Sequence, residues 1–399
     1  MRVAINGSQL IEPLPAGPEI YALNIILGLG KTDFKNEYTI FLAKKPPQET
    51  LTKLQNLPPN FELKILPKVF SWTQISLALA LIKRASIFRK KSNQFDVLFS
   101  PIHTLPFLAL VLTSPKIKTI SVIHGLEFLT NQQPLRLLQR ITKGLPERLT
   151  CMFSDQIVAP SDATRESILK MAQKNGWILK NKDIKVVPEG VADIFMKHKT
   201  YTEKSYQGKL AQYNIPNEPY LIFISTIQPR KNLKAIVEAI SMIKNQYGKK
   251  INLVVCGKKG WNYQDDLNSP QKFGVKDQVF FVGRVPDEDL VILLKNAKAF
   301  ISASLDEGFG LPVLEAMTVG TPLIISKIPA HKALAGEFAI YIDQKSTQDI
   351  AQKINLFLEE EKEVTKKRVE GACGLADNYS WEESARQISG LFHKISLDL

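Results

Sequence analysis

Cysteine is scarce. The chain has three in 399 residues, Cys151, Cys256 and Cys373, far apart and odd in number. No CxxC pair or Cys/His cluster occurs, which argues against a zinc framework and a disulfide scaffold and suits a reducing compartment. Cys256, inside the apolar run INLVVCG, reads as a core residue. Long apolar runs are lacking too. The longest, ISLALALI (75–82) and LPFLALVL (105–112), fall far short of the roughly 20 residues that span a bilayer. No secretory leader is visible, because MRVAING reads as a first strand entered at once. The expectation is a cytoplasmic protein, soluble or peripheral on the inner face of the membrane. A GxGxxG after the first strand is missing from MRVAINGSQL, which argues against a dinucleotide-dependent dehydrogenase. Basic motifs interleaved with aromatics are missing as well, which argues against a nucleic-acid-binding module.

What is present is an ordinary globular composition, 44% hydrophobic and 23% charged, with an uneven charge. The net charge is +13; residues 1–200 hold 27 Lys+Arg against 15 Asp+Glu, and residues 201–399 hold 25 against 24. The first half is therefore either a solvated basic surface or one that meets an acidic partner, such as anionic lipid.

Short apolar runs alternate with helical patterns along the whole chain. MRVAING, YTIFLA (38–43), FELKIL (61–66), DVLFSP (96–101), KTISVIHG (118–125), the start of DQIVAPS and DIKVVPEG (183–190) read as buried strands. A helical pattern runs from Ile20 to about Gly28, and Ser161 suits the N-cap of another helix. Residues 191–218 are polar and weakly periodic and read as a connection. The pattern then restarts with PYLIFIST, the helix NLKAIVEAISMIKNQ (232–246), and the strands INLVVCG, QVFFVGRV, AKAFISAS and TPLIIS. This order predicts an α/β chain of two doubly wound parallel-sheet domains. The first spans 1–195, with a terminal helix in 380–399 packing back on it, and the second spans 196–379.

In such sheets ligands sit beyond the carboxyl ends of strands. There, in SASLDEGFGLPVLEAMTVGTP (302–322), Glu307 precedes the loop Gly308-Phe309-Gly310. Pro312 suits a first helical position and Gly320 the position past the helix end, so a helix of about two turns is expected. Its N-terminal N–H groups, including those of Phe309 to Leu311, and its dipole favour an anion. Glu315, expected in the first turn, suits a diol through two hydrogen bonds, or equally complements the helix dipole. Arg230 and Lys231 stand adjacent at a strand-to-helix turn in STIQPRKNL, with Asn232 placed to cap the helix. Arginine there offers bidentate phosphate contacts and lysine a point charge.

EGFGLPVLE, followed by EAM and a Gly-x-Pro, resembles the E-x7-E signature of retaining glycosyltransferases of the GT-B fold, especially glycosyltransferase family 4. PRKNL, CGKKGWNY (256–263), FVGRVPDEDL (281–290) and the terminal SWEESA are similar to the same family, so the resemblance covers nearly the whole chain. It implies two Rossmann-like domains facing a central cleft and transfer of a hexose from a nucleotide diphosphate sugar to a hydroxyl of a glycan or lipid-linked acceptor. Mannosyltransferases using GDP-mannose are favoured by GKKGW and PRKNL, with a UDP-hexose as the other donor. By resemblance Arg230 and Lys231 hold the diphosphate, Glu307 the donor sugar and Glu315 the ribose. Backbone at Gly283, Arg284 and Val285 lies near the base. His124, at the end of KTISVIHG, faces the reaction centre, and Gly17 belongs to a loop approaching the donor phosphate. This chain departs from the pattern at Ser225-Thr226, at Gly125, at Pro18 and at Glu189, where Asn is usual. His103 is a candidate for the acceptor side. No cofactor and no metal are expected, since no DxD-like motif stands at the site and Asp265-Asp266 is read as a polar loop elsewhere.

The segment SLALALIKRASIFRKKSN (76–93) combines an apolar start with Lys83, Arg84, Arg89, Lys90 and Lys91. It reads as an amphipathic basic helix suited to an anionic membrane surface, or as a core-packing helix with a solvated basic end. Other functions open at this stage are a sugar-nucleotide epimerase or phosphorylase on the same fold, and a non-catalytic glycan- or nucleic-acid-binding protein.

Overall fold

The computed structural model describes residues 1–67, 69, 71–85, 94–112, 117–126, 144–196 and 203–396. They form two compact units, Met1–Gly190 with Ser380–Leu399, and Val191–Tyr379.

The first unit holds strands β1 (Arg2–Asn6), β2 (Glu37–Leu42), β3 (Phe61–Ile65), β4 (Val97–Ser100), β5 (Lys118–Val122), β6 (Gln156–Ala159) and β7 (Lys185–Val186). They pair in the order β3-β2-β1-β4-β5-β6-β7, all parallel. Val3, Ala4 and Ile5 are fully buried in succession, as a strand covered on both faces requires. The helix Gly17–Thr32 outruns the expected Ile20–Gly28 at both ends. Ala16 N–H donates to Glu19 Oε2 at 2.8 Å, and this closes its first turn. Ser161 Oγ accepts from Thr164 N–H and caps the helix Asp162–Lys174.

The terminal helix Trp381–Ser396 belongs to this unit and lies along Gly17–Thr32. Gly28 permits the approach, because a Cβ there would stand 2.6 Å from the Trp381 carbonyl oxygen. Lys31 pairs with Glu382 at 2.6 Å, and Ser389 Oγ donates to Asp33. Burial alone would raise Asp33, but hydrogen bonds from Ser389, Tyr38 and Asn36 outweigh it and hold the carboxyl at about 2.

The second unit holds β8 (Tyr220–Ile224), β9 (Asn252–Cys256), β10 (Val279–Gly283), β11 (Ala299–Ser302), β12 (Leu323–Ser326) and β13 (Ile340–Ile342), in the parallel order β10-β9-β8-β11-β12-β13. The reversal between β8 and β11 is the switch point where ligands sit in such sheets. Its core is largely aliphatic, built on Leu221, Ile236, Ile240, Leu253 and Ile301 with the aromatic Phe223 among them.

Three local expectations need correction. Residues 191–218 are not a bare connection; they contain the helices Asp193–Met196 and Glu203–Gln212. The second is anchored where Lys209 Nζ meets Asp289 at 2.7 Å and Tyr213 donates to the same carboxylate. Asp265 and Asp266 lie in the helix Gln264–Lys272 rather than a loop, and buried Asp266 accepts from Lys234 N–H at the start of the helix Leu233–Tyr247. Asn232 stands at the N-cap of that helix with φ of 57° but makes no side-chain cap; its amide donates to the Gln344 carbonyl. The capping is done by a carboxylate distant in sequence. Residues 76–93 begin as a π-helical turn, Thr73–Leu77, and a helix, Ala78–Ala85; Arg89, Lys90 and Lys91 lie outside the described residues. No described helix is long and apolar enough to cross a membrane.

Candidate active site

The second unit brings the two strand-end motifs together. β8 runs into the 3-10 turn Pro229–Lys231, and β11 runs into Ser304-Leu305-Asp306-Glu307. Leu305 N–H donates to the Arg230 carbonyl at 2.9 Å, which ties the two loops by their backbones. Arg230 Nη1 donates to the Asp306 carbonyl at 2.5 Å and to Glu307 Oε2 at 3.3 Å. Lys231 Nζ donates to Glu307 Oε1 at 2.5 Å, and Ser304 Oγ donates to the same oxygen at 2.8 Å. The Arg230, Lys231 and Glu307 side chains are only 10–13% exposed, so water screens their charges weakly. Burial would raise the Glu307 carboxyl; Lys231, Arg230 and, more remotely, His331 reverse that and hold it far below the usual carboxylate range.

Beyond Glu307 the loop turns on Gly310, whose φ of 108° few side chains tolerate. The helix that follows is Leu311–Val319, so Pro312 is its second residue and Glu315 sits in the second turn rather than the first. Glu315 is 8% exposed and Phe309 is buried, its ring edge-on to Tyr379 at 5.8 Å. In the first turn Pro312 has no N–H, and Val313 and Leu314 N–H donate to the Gly310 carbonyl at 2.8 and 3.2 Å, so an anion there would draw on the helix dipole and the loop amides before the turn. Gly283 closes β10 with φ of 74°; Gly283 and Arg284 are exposed and Val285 is buried.

His331 was missed by the motif reading. It lies in the helix Pro329–Ala335, 1% exposed, with Nδ1 at 3.1 Å from Ser326 Oγ and 3.2 Å from the Ser326 carbonyl. A Cβ on Gly310 would lie 3.4 Å from its ring, so the imidazole lies against the loop. Burial pushes it down to about 4. Its one sequence signal is its place just after a strand, in LIISKIPAH.

The remaining expected residues belong to the first unit. His124 follows β5, with Nε2 at 2.9 Å from the Pro101 carbonyl and Nδ1 at 3.6 Å from Glu189 Oε1. Tyr21 meets the imidazole edge-on at 4.6 Å. Gly17 opens its helix in open space, with nothing within 4 Å of a Cβ placed on it. Burial, aided by His124, pushes His103 down to about 4.

The sequence and the fold both have counterparts among known proteins. The model of glycosyl transferases group 1 matches residues 205–372, and that of glycosyltransferase family 4 matches residues 15–193. The chain is 30% identical over 181 residues to O-antigen chain mannosyltransferase B of Escherichia coli, covering 45% of this chain and 46% of that protein. It is 30% identical over 247 residues to the serotype-specific mannosyltransferase WbdA of Escherichia coli, covering 59% of this chain and 29% of that protein. The chain thus spans less than half the length of these curated relatives. Among solved structures, Anabaena HepE in complex with UDP-glucose superimposes with a TM-score of 0.74 at 15% identity, covering 99% of this chain and 100% of that one. Sucrose-phosphate synthase from Thermosynechococcus elongatus gives a TM-score of 0.70 at 18% identity, covering both chains fully. These likenesses show the two-domain GT-B fold, and with both halves matched by family models the chain belongs to the group 1, family 4-like glycosyltransferases.

Proposed function

We propose that the chain transfers a hexose, with retention, from a nucleotide diphosphate sugar to a hydroxyl of a glycan or lipid-linked acceptor. The observation that carries this reading is the convergence of Arg230 and Lys231 on Glu307 at the mouth of a helix N-terminus. Two cations side by side suit a diphosphate, and the helix dipole and the loop amides before the turn favour it further. As the bond to the sugar breaks, negative charge grows on the diphosphate, and these preorganised groups stabilise it without an added metal. Glu307, held by Ser304 and both cations, then accepts from hydroxyls of the donor sugar, and Glu315 from the ribose. Gly283, Arg284 and Val285 line the base, and the family resemblance assigns Gly17 to the donor phosphate and His124 to the reaction centre.

Mannose from GDP-mannose is the favoured donor, because the two curated relatives above are named mannosyltransferases. UDP-hexose is the second donor, since HepE was solved with UDP-glucose. Thermal shifts with GDP, UDP, dTDP and ADP and their sugars decide between them. Stabilisation by GDP and GDP-mannose alone supports the first, and no shift with any of them sinks the proposal. Turnover is expected to survive EDTA, and the anomeric configuration of the product, read by NMR, tests retention. Donor hydrolysis or epimerisation without acceptor would instead favour an epimerase or phosphorylase.

The acceptor side is proposed to lie against anionic membrane through residues 76–93. Ile75, just before this segment, and Leu79, within it and four residues on, are 38% and 47% exposed. Vesicle binding should need anionic lipid, fade with salt and be lost when Arg89, Lys90 and Lys91 become Glu. Unchanged binding in that variant overturns the membrane contact.

A further inference from the structure

We infer that Glu189 is a positioning residue for His124, holding its imidazole in one orientation through a buried charge contact at the Nδ1 edge. The ring has two polar edges, and the first unit occupies both. Nε2 lies 2.9 Å from the Pro101 carbonyl oxygen. A carbonyl only accepts, so Nε2 carries a proton and donates it. The other edge, Nδ1, faces Glu189 Oε1 at 3.6 Å, a contact that attracts when Nδ1 carries a proton as well. That is longer than a direct hydrogen bond but within reach of a charge contact. The side chains are 12% and 7% exposed, so the contact is poorly screened. Turning the ring over would set carbon against both the carbonyl and the carboxylate and lose both interactions.

The carboxylate is itself held in place. Gly190, the next residue, packs so tightly on the terminal helix that a Cβ there would stand 2.2 Å from Trp381 N. The backbone bearing Glu189 therefore has no room to retreat. Tyr21 closes the other side, its ring edge-on to His124 at 4.6 Å and to Trp381 at 5.5 Å. Its buried hydroxyl has no hydrogen-bond partner among the described residues, and burial and Glu189 together push its pKa upward. Among the described residues, the titratable groups seen around His124 are Tyr21 from the helix Gly17–Thr32, His103 from the segment after β4, and Glu189 from the segment after β7. Glu189 is the acidic one. The Asn usual at this place in the family pattern would bring no charge to Nδ1.

The part His124 plays in transfer rests on the function proposed above; its pairing with Glu189 does not. The test uses the full chain with 15N-labelled histidine. Five histidines are present, and loss of one signal in His124→Gln assigns His124. The wild type should show a protonated Nε2. Glu189→Gln should move the Nδ1 resonance, and Glu189→Asp, which keeps the charge, should restore most of the wild-type value. Glu189→Gln should also lower kcat about tenfold with the donor KM within about twofold, as expected for loss of an orienting partner. An unchanged Nδ1 resonance in Glu189→Gln overturns the inference. If that variant fails to fold, the wild-type spectrum alone decides: a proton on Nδ1 with a bare Nε2 overturns it as well. A moved resonance with no transfer in the wild type leaves the pairing standing and removes the functional proposal instead.

Discussion

Lys231 Nζ lies 2.5 Å from Glu307 Oε1 across 76 positions of sequence, and both side chains are nearly excluded from water. The contact joins the loop after β8 to the loop after β11, the two central strands of the second unit's sheet. Either residue alone would be a costly buried charge; together they form a pair poised at a helix N-terminus.

The first prediction concerns turnover. Lys231→Ala and Glu307→Ala should each reduce it at least about a hundredfold, the scale of losing one charge-stabilising contact. Steady-state rates with a donor identified by thermal shift provide the measurement. Near wild-type rates in either variant refute the assignment.

Glu307 also links stability to pH. Its folded carboxyl titrates below the unfolded value, so the folded state releases its proton first as pH rises. The stabilisation is full above the unfolded value of roughly 4.3 and declines as pH falls from there toward the folded value. Glu307→Gln should therefore lower Tm at pH 7, and its deficit should shrink on acidification below pH ~4. A deficit independent of pH would show that lost packing, not charge, is responsible.

His331 acts in the same direction, over a higher pH window. Burial lowers it from 6.5 to about 4, so the unfolded chain takes up the proton first as pH falls. It costs nothing above about pH 6.5 and reaches its full cost, about 3 kcal/mol, near pH 4. His331→Gln should lose less Tm between pH 7 and 5 than the wild type. Thermal melts across that range test it, and parallel pH curves would rule it out.

Gly257 should tolerate no side chain. Its φ is 155°, and a Cβ there would lie 1.8 Å from the Ser225 carbonyl oxygen. Its N–H donates to the Gly283 carbonyl at 2.7 Å, so the backbone is fixed from the other side as well. Gly257→Ala should destabilise the second unit by about 3 kcal/mol or more, seen as a lower denaturation midpoint. A wild-type midpoint would mean the loop relaxes freely.

Much of the fold was legible because its signals are local. Runs such as LVV in β9 and AFI in β11 are short, apolar and bounded by polar or turn residues, which is what a doubly covered parallel strand demands. The GFGLP loop was legible for the same reason: glycine at a positive φ and proline in a first helical turn are backbone requirements written in adjacent residues. Capping was misread where the partner was remote. Asn232 looked like the cap of its helix, yet Asp266, from another helix, accepts the Lys234 N–H there.

The sequence by itself therefore determined the alternation of strands and helices, the two-domain class, and which loops bear cations, carboxylates and glycines. Tertiary structure alone decided which of these meet. That Glu307 is shared by Arg230, Lys231 and Ser304, that His331 lies against the Gly310 loop, and that Glu189 faces His124 depend on strand order. The physical reason is that backbone propensity acts over a few residues. Charge pairing and desolvation instead act over a few ångströms, between residues that only the folded sheet makes neighbours.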